Sequence, residues 1–566
     1  MNQIDMDNRA IARQLELYAQ LLDLHGVEQK ARVYHAAAFR IEKQEVPVAG
    51  LAVSDLTKLP GIGKSIAEKI KEIVETGSFK ELNELLERTP QGLLDLFQVK
   101  GLGVKKIRRL WEELGIDSLE SLEKACLEGK VAALPGMGEK TQQAIMESVA
   151  FLKQTQGKCL WVQAAARATG LQEEIQNQLK TEVQCVGQLA RKEPVVSAIE
   201  LMVLTESPAA LHACLRKIDH LKETPESSGL FCWRGIDEGS QLPVEVHTVT
   251  PEHRASMHLI LTATEAHLGY HLNGQTLLQT ALSMPAAPSE QAIYARLGVP
   301  YIIPEMREGK HEWEWAKKYT PEQLVEREDL RGVVHAHTTY SDGKNTLTEM
   351  AEEARRLGYE YLGITDHSQS AFYANGLSEE RVRKQWQEIE QINSRLQDFQ
   401  LLKGIEVDIL ADGSLDYPDD FLAQFDFVIA SVHSALSMSR EKATQRLLKA
   451  IENPHVDILG HLTGRILLAR EGYPLDMEQV IRACAEHQVA IEVNASPSRS
   501  DLDWEWIFYA MEQGVKLLIT PDAHSCEELQ YMDWGLQLAR KGGMTKEVCL
   551  NCLSSTAFLS FCAKKG

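Results

Sequence analysis

The sequence predicts three kinds of structure in order: all-α domains built on helix-hairpin-helix turns, a mixed α/β centre, and a C-terminal βα barrel. Three observations carry that prediction. One phrase, apolar then Gly-apolar-Gly then helix, is written three times before residue 140. Strand-like runs such as Ile199–Leu204 and Leu242–Val249 mark the centre. Beyond Arg331, short apolar runs alternate with amphipathic stretches at a spacing of about thirty residues, the rhythm of βα units.

The chain has 566 residues, room for several domains at roughly 100–200 residues each. We place helical domains at 1–82 and 83–158, the α/β centre at 159–320 and the barrel at 331–566, with charged residues 308–329 as a connector. Sixty Lys and Arg against 81 Asp and Glu give a net charge of −21, which excludes a uniformly basic nucleic-acid coat. Binding to a polyanion must then rest on local lysines, backbone amides or metal ions. Neither a secretory signal nor a membrane span fits the sequence, so a cytoplasmic protein is expected, acting as a monomer and without a membrane partner. The ten cysteines are scattered and read as free thiols rather than a disulfide framework.

The repeated phrase reads Leu59-Pro60-Gly61-Ile62-Gly63-Lys64, then Val99-Lys100-Gly101-Leu102-Gly103-Val104, then Leu134-Pro135-Gly136-Met137-Gly138-Glu139. Two glycines around one apolar residue allow a tight turn and close approach to a ligand. The helix that follows presents free N–H groups and the positive end of its dipole, which suits a DNA phosphate without reading a base. Lys64, Lys69 and Lys71 follow the first hairpin, and Lys105, Lys106, Arg108 and Arg109 the second. The third, with Glu139 beside Lys140, is the weakest of the three.

In the barrel region, seven strand-like runs are visible: 332–338, 361–367, 401–410, 427–433, 457–462, 490–495 and 517–524. All but 490–495 carry His, Asp or Glu near the C-terminal end. In a βα barrel those ends converge on one face, where such folds place their chemistry. His335-Ala336-His337 and Asp522-Ala523-His524 each put two ligands on one side of a strand. With Asp342 in the loop after the first strand, the candidate ligands are His335, His337, Asp342, His367, Glu406, His433, His461, Asp522 and His524. Imidazole and carboxylate in this number suit three divalent ions, Zn²⁺ or Mn²⁺, with carboxylates bridging.

The runs His335-Ala336-His337-Thr338, Ile364-Thr365-Asp366-His367, Gly404-Ile405-Glu406, Ser431-Val432-His433-Ser434, Gly460-His461 and Pro521-Asp522-Ala523-His524 resemble the motifs of a PHP (polymerase and histidinol phosphatase) domain, in order. That resemblance implies a distorted (βα)7 barrel and metal-dependent phosphoester hydrolysis. Glu406 would bridge ions shared with His335, His337 and Asp522, and Arg465 would clamp a phosphate. Taken whole, the chain resembles bacterial family X DNA polymerases that carry a C-terminal PHP domain. The centre would then be a nucleotidyltransferase-like palm and thumb, and Lys69 would match the lysine that forms a Schiff base with an abasic sugar. The palm departs from the family pattern. Gln188 and Ala190 replace groups that hold the triphosphate, Ala198 and Glu200 stand for the aspartate pair, Glu245 stands for the third aspartate, and Thr262-Ala263-Thr264 replaces Thr-Gly-Ser. An added methylene displaces a carboxylate by over about 1 Å, and misplacement of that order can cost about a hundredfold in rate. These changes argue against Mg²⁺ at the palm and against synthesis. The expected function is a 3′–5′ exonuclease acting on DNA ends or gaps in repair. The alternatives are an active gap-filling polymerase with a PHP exonuclease, and a PHP phosphatase of small phosphomonoesters.

Overall fold

A computed structural model describes residues 7–44 and 46–563. They fall into two compact units, 1–156 and 157–566.

The first unit is all helical. Helices α1 (Lys64–Thr76), α2 (Val104–Leu114) and α3 (Gly138–Thr155) follow the three glycine phrases. The helical spacing of Ile66, Ile70 and Ile73 in α1, and of Ile107 and Leu110 in α2, turns one face of each inward. Both helices stop at a left-handed glycine, Gly77 and Gly115. The border expected at 82/83 leaves no gap in the packing. One apolar core runs from Ile11 to Val149 across it, and His25 reaches over it to Thr89 Oγ1 at 2.9 Å and to the Trp111 ring.

The second unit begins with a five-stranded sheet of β1 (Val183–Cys185), β2 (Ile199–Leu204), β3 (Leu221–Glu223), β4 (Cys232–Asp237) and β5 (Pro243–Val249). Its order is β1-β2-β5-β4-β3, with β2 and β5 parallel. Ile199, Leu201, Val203, Trp233, Val244 and Val246 pack one face. The polar residues between them share the other.

The barrel is a seven-stranded parallel sheet in chain order: β6 (Gly332–Ala336), β7 (Tyr361–Ile364), β8 (Gln400–Asp408), β9 (Phe427–Ser431), β10 (Ile458–Leu459), β11 (Ala490–Asn494) and β12 (Leu517–Thr520). A bridge between Ala336 and Ala523 brings its first and last strands together. Inside, Val334, Tyr361, Leu402, Phe427, Ile458, Ala490 and Leu518 pack on Phe558 and Cys562 of the C-terminal helix, Ser555–Cys562. Gly363 and Gly404 leave the room Phe427 needs, since a Cβ at either would lie about 2.5 Å from its ring. Apolar side chains therefore fill the N-terminal half, and the polar ends of the strands lie at the other.

Residues 308–329 are not a free connector. Trp315 is buried and donates to Gly543 O at 2.8 Å, and Glu308 accepts from both Arg191 and Lys541. Lys541, 2% exposed, also donates to Arg191 O at 2.9 Å and Glu305 O at 3.2 Å, fastening the central part to the barrel. No helix among the described residues is long and apolar enough to cross a membrane.

Candidate metal centre and nucleic-acid surfaces

Strand alternation delivers most of the predicted ligands. With Tyr361 inward on β7, His367 falls inward an even six residues later, as His433 does from Phe427, and an even four residues from Leu402 reach Glu406. Leu518 leads likewise to Asp522. Two positions break the alternation. Val334 faces inward, so His335 would face out, but the ladder shifts at this point and His335 takes a left-handed φ of 71°. The bulge re-aims its imidazole into the barrel. His461 follows the inward-facing Gly460 position with φ 20°, and Asp522 has φ 50°. Three of the nine ligand positions are thus in backbone conformations that cost energy and persist only where the surroundings enforce them.

The nine side chains form four overlapping groups: His337 with Asp342, His367 and His524; His335 with His337 and Asp522; His335 with Glu406 and His461; His367 with Glu406 and His433. Within each group the ligand atoms lie within 4.8 Å of one another. Glu406, 1% exposed, lies against five imidazoles: His461 at 2.9 Å, His367 at 3.0 Å, His433 at 3.2 Å, His335 at 3.3 Å and His337 at 3.6 Å.

Charges in this cluster shift one another strongly. Burial would raise the Glu406 and Asp522 carboxyls, but the surrounding imidazoles hold both well below the carboxylate range. Burial would lower His433, but Glu406 and Asp408 push it up to about 10. His337 goes the other way, down to about 3, because burial is reinforced by His524 and His367. Both of its ring nitrogens, with His335 Nε2, His461 Nδ1 and Glu406 Oε2, are buried without a hydrogen-bond partner. Orphaned buried nitrogens facing anionic carboxylates are what divalent cations would satisfy, so the residues fit the metal centre expected of them.

Supporting residues surround the nine: Glu492 and Asp408, which the sequence reading did not single out, and Asp366, which it placed only as part of a strand-end motif. Glu492, fully buried on β11, accepts from His335 Nδ1, from the His461 N–H at 2.9 Å and from Asn494 Nδ2 at 2.7 Å. Asp408 accepts from His433 Nδ1 at 2.7 Å. Asp366 accepts from the Thr338 and Ser341 N–H groups at 2.8 and 3.1 Å, which fixes the loop that presents Asp342. The strand alternation that found Glu406 would also have marked Glu492 as inward.

Arg465 is not free to clamp a phosphate. Its guanidinium is bonded to the Asp503 carboxylate and to the Arg499 and Ser500 carbonyls, so it braces the loop after β11. The arginine at the cluster is Arg499, 3.3 Å from Asp522 and partly exposed.

In the first unit, the first two hairpins share one geometry. Gly61 and Gly101 have φ of 76° and 81°, and Gly63 and Gly103 are extended residues that open α1 and α2 with no side-chain cap. Ile62 and Leu102 anchor the turns in the core, while Lys64 and Lys105 are exposed beside the helix starts. Lys106 folds back on Gly101 O at 2.9 Å. Gly136 and Gly138 are both left-handed, and α3 begins at Gly138 itself, so the third turn departs from the other two. Lys69 is 7% exposed and ion-paired with Glu81; burial would lower its pKa, but Glu81 raises it, and this holds the amine protonated. Schiff-base chemistry needs the free amine, so this environment opposes that role.

At the palm, Glu200 and Glu245 are register partners on β2 and β5. Glu200 turns toward the Gly187 turn, where the Gln188 N–H lies 3.4 Å from its carboxylate. Glu245 meets Arg234 at 3.2 Å and lies beside Cys232 and His247. Gln188 is occupied by the Ser197 N–H and hydroxyl, both at 2.9 Å, and Ala190 and Ala198 bring no ligand. Thr262 O accepts from Arg191 at 2.7 Å.

Such a barrel, preceded by helix-hairpin-helix modules, defines the PHP class of metal-binding domain joined to a DNA-binding helical region. Sequence-family models agree: a helix-hairpin-helix domain matches residues 6–79, a SAM-like helix-hairpin-helix tandem 93–150 and a PHP domain 334–496. The chain is 34% identical to the DNA polymerase/3′-5′ exonuclease PolX of Bacillus subtilis, over 97% of this chain and 98% of that protein, and it belongs to that family. It is also similar to probable phosphatases of Thermoanaerobacter sp. (32% identity; 38% of this chain, 88% of theirs) and Vibrio parahaemolyticus (31%; 41% and 93%).

Proposed function

We propose that this chain is a metal-dependent DNA phosphoesterase, removing nucleotides from 3′ ends at breaks or gaps, with a palm that serves as scaffold rather than as a polymerase. The observation that carries it is the convergence of nine ligands on one barrel end in a chain that also carries helix-hairpin-helix modules. His335, His337, Asp342, His367, Glu406, His433, His461, Asp522 and His524 would hold three divalent ions, Zn²⁺ or Mn²⁺. Such ions, when bound, lower the pKa of water and take up phosphate charge.

The protein's own groups prepare that chemistry. Glu492 and Asp408 fix the orientation of His335 and His433, which leaves Nε2 of each ring facing Glu406. Glu406 and Asp522 stay ionised at neutral pH. Arg499 offers a cation at the rim for a non-bridging phosphate oxygen. The exposed N–H groups at Gly63 and Gly103, with Lys64 and Lys105, suit backbone phosphates. A small phosphomonoester would need none of these hairpins, and the probable phosphatases match little more than a third of the chain.

The protein acts in this proposal as a cytoplasmic monomer on DNA in repair. Incubation of metal-loaded protein with 5′-labelled primer-template tests it. A ladder shortened from the 3′ end is expected; an intact primer under conditions where p-nitrophenyl phosphate is hydrolysed would transfer the assignment to the small-phosphomonoester reading.

A further inference from the structure

The loop between β7 and the helix Glu379–Asn393 carries two large side chains that the fold does not use. Phe372 is 89% exposed and Tyr373 is 71% exposed, on a single 3-10 turn, Phe372–Ala374. Their exposure does not come from a loose loop. Ala371 and Ala374 on either side are 1% exposed. Ser370 donates its N–H to Asp416 at 2.7 Å and its hydroxyl to Asp408 at 2.8 Å, and the Ser368 N–H donates to Glu406 O at 3.1 Å. Asn375, left-handed at φ 55°, donates to the Tyr340 and Ser341 carbonyls at 3.2 Å, and Arg381 closes the turn on Asn375 O at 2.8 Å. Anchors to Glu406 and Asp408 tie this turn to a metal ligand and to the carboxylate that orients another.

The turn stands at the mouth of the metal centre. The Tyr373 ring centroid is 6.3 Å from that of His367 and 6.4 Å from that of His433. Both belong to the group that shares Glu406. Among the described residues, Phe372 pairs with no other aromatic ring.

From this placement we propose that Phe372 and Tyr373 form a stacking platform for the terminal nucleobases of a single-stranded or frayed 3′ end, seating the last phosphodiester over the metal ligands. The inference rests on the phosphoesterase assignment above and adds the feature of the substrate that is recognised. A rigid aromatic held in water forgoes the burial it would gain in a core, and every nucleobase presents a π face to it whatever the sequence. The occupant must also place a phosphate within reach of the cluster a few ångströms away, which a nucleotide does and an apolar peptide does not. Paired bases are stacked on each other, so the platform favours an end that has melted.

The test compares two 5′-labelled single-stranded oligonucleotides, one ending in a normal nucleotide and one in an abasic tetrahydrofuran sugar. Wild type, Phe372→Leu and Tyr373→Leu are compared, with metal content of each measured first. Wild type should prefer the base-bearing end by roughly five- to a hundredfold in kcat/KM, the scale of one stacked base. Each leucine variant should bring that ratio toward one at unchanged metal content. A structural role would lower both rates together and keep the ratio, which overturns the proposal, as does a ratio near one in wild type. As a binding readout, 2-aminopurine at the 3′ terminus should be quenched by wild type and not by Tyr373→Leu. Should wild type hydrolyse p-nitrophenyl phosphate but neither oligonucleotide, the DNA phosphoesterase assignment fails and the platform with it. Cleavage of DNA with an unchanged ratio in the variants removes the platform alone.

Discussion

Glu492 holds His335 by its Nδ1 from β11, the one barrel strand that contributes none of the nine candidate ligands. The same carboxylate receives the His461 N–H and the Asn494 amide, and Asn494 in turn reaches Asp522 at 3.1 Å. One buried acid therefore sets the direction of an imidazole that the bulge at residue 335 has already turned inward. Replacing it with glutamine keeps the shape but removes the charge that fixes the ring. Glu492→Gln should weaken metal binding by roughly ten- to a hundredfold. Competition with a chromophoric chelator measures this, and unchanged affinity would remove Glu492 from the centre.

Much of this site was legible because its ligands follow a rule visible in one dimension: side chains alternate along a strand, and parallel strands in a barrel end on one face. His367, Glu406 and His433 obey that rule. What was not legible depends on three-dimensional neighbours. Nothing local to Arg465 says that Asp503 and two carbonyls absorb its guanidinium, nor that Arg499 takes the place near Asp522. Lys69 reads as an exposed helical lysine until Glu81, twelve residues on, closes over it. The shared core across 82/83 was not legible for a similar reason, since glycine turns and polar stretches mark where helices end and not where a core ends. Residues 308–329 look like a solvated connector by composition, yet Trp315 and Glu308 have partners more than two hundred residues away.

The hairpins make a prediction about salt. Lys64 and Lys105 are exposed beside uncapped helix starts. If each neutralises one phosphate, Lys64→Ala and Lys105→Ala should each weaken binding to duplex DNA regardless of sequence and reduce the slope of log affinity against log salt by about one. Fluorescence anisotropy across a salt series checks this, with Glu139→Ala at the third turn as a comparison expected to leave the slope unchanged.

A buried charge pair sets the acid limit of the central part. Arg307, fully buried, meets Glu290 at 2.9 and 2.6 Å, and His258 contacts the same carboxylate at 2.7 Å. Burial would raise Glu290, but Arg307 and His258 bring it down to about 2. A carboxyl depressed in the folded state adds stability above its unfolded pKa near 4.5 and loses it as pH falls toward 2. The contribution at neutral pH is on the order of 3 kcal/mol. Glu290→Ala should cost about 3–5 kcal/mol by leaving Arg307 unpaired, and should flatten the loss of stability between pH 4.5 and 2. Urea denaturation across that range reads both effects.

The palm supplies the last prediction, that the chain does not extend a primer. Two-metal phosphoryl transfer needs carboxylates converging on a shared pair of ions. Here Glu200 is drawn back beside the Gly187 turn, where burial raises its pKa, while Glu245 is paired with Arg234 across the sheet. Ala198 offers no oxygen, and Gln188 is committed to Ser197. Each change alone removes or displaces one contact; together they leave one strand pair with two glutamates that face different partners. Primer extension should be measured in His335→Ala/His337→Ala, so that the barrel cannot erase product, with Mg²⁺ or Mn²⁺ and all four deoxynucleotides. No extended product is expected. Robust extension by that variant would show that the palm still assembles an ion pair, and the gap-filling reading would then hold. The converse substitution is equally informative: Ala198→Asp with Glu200→Asp and Glu245→Asp restores the carboxylate set, and synthesis in that triple variant alone would locate the loss in these three residues.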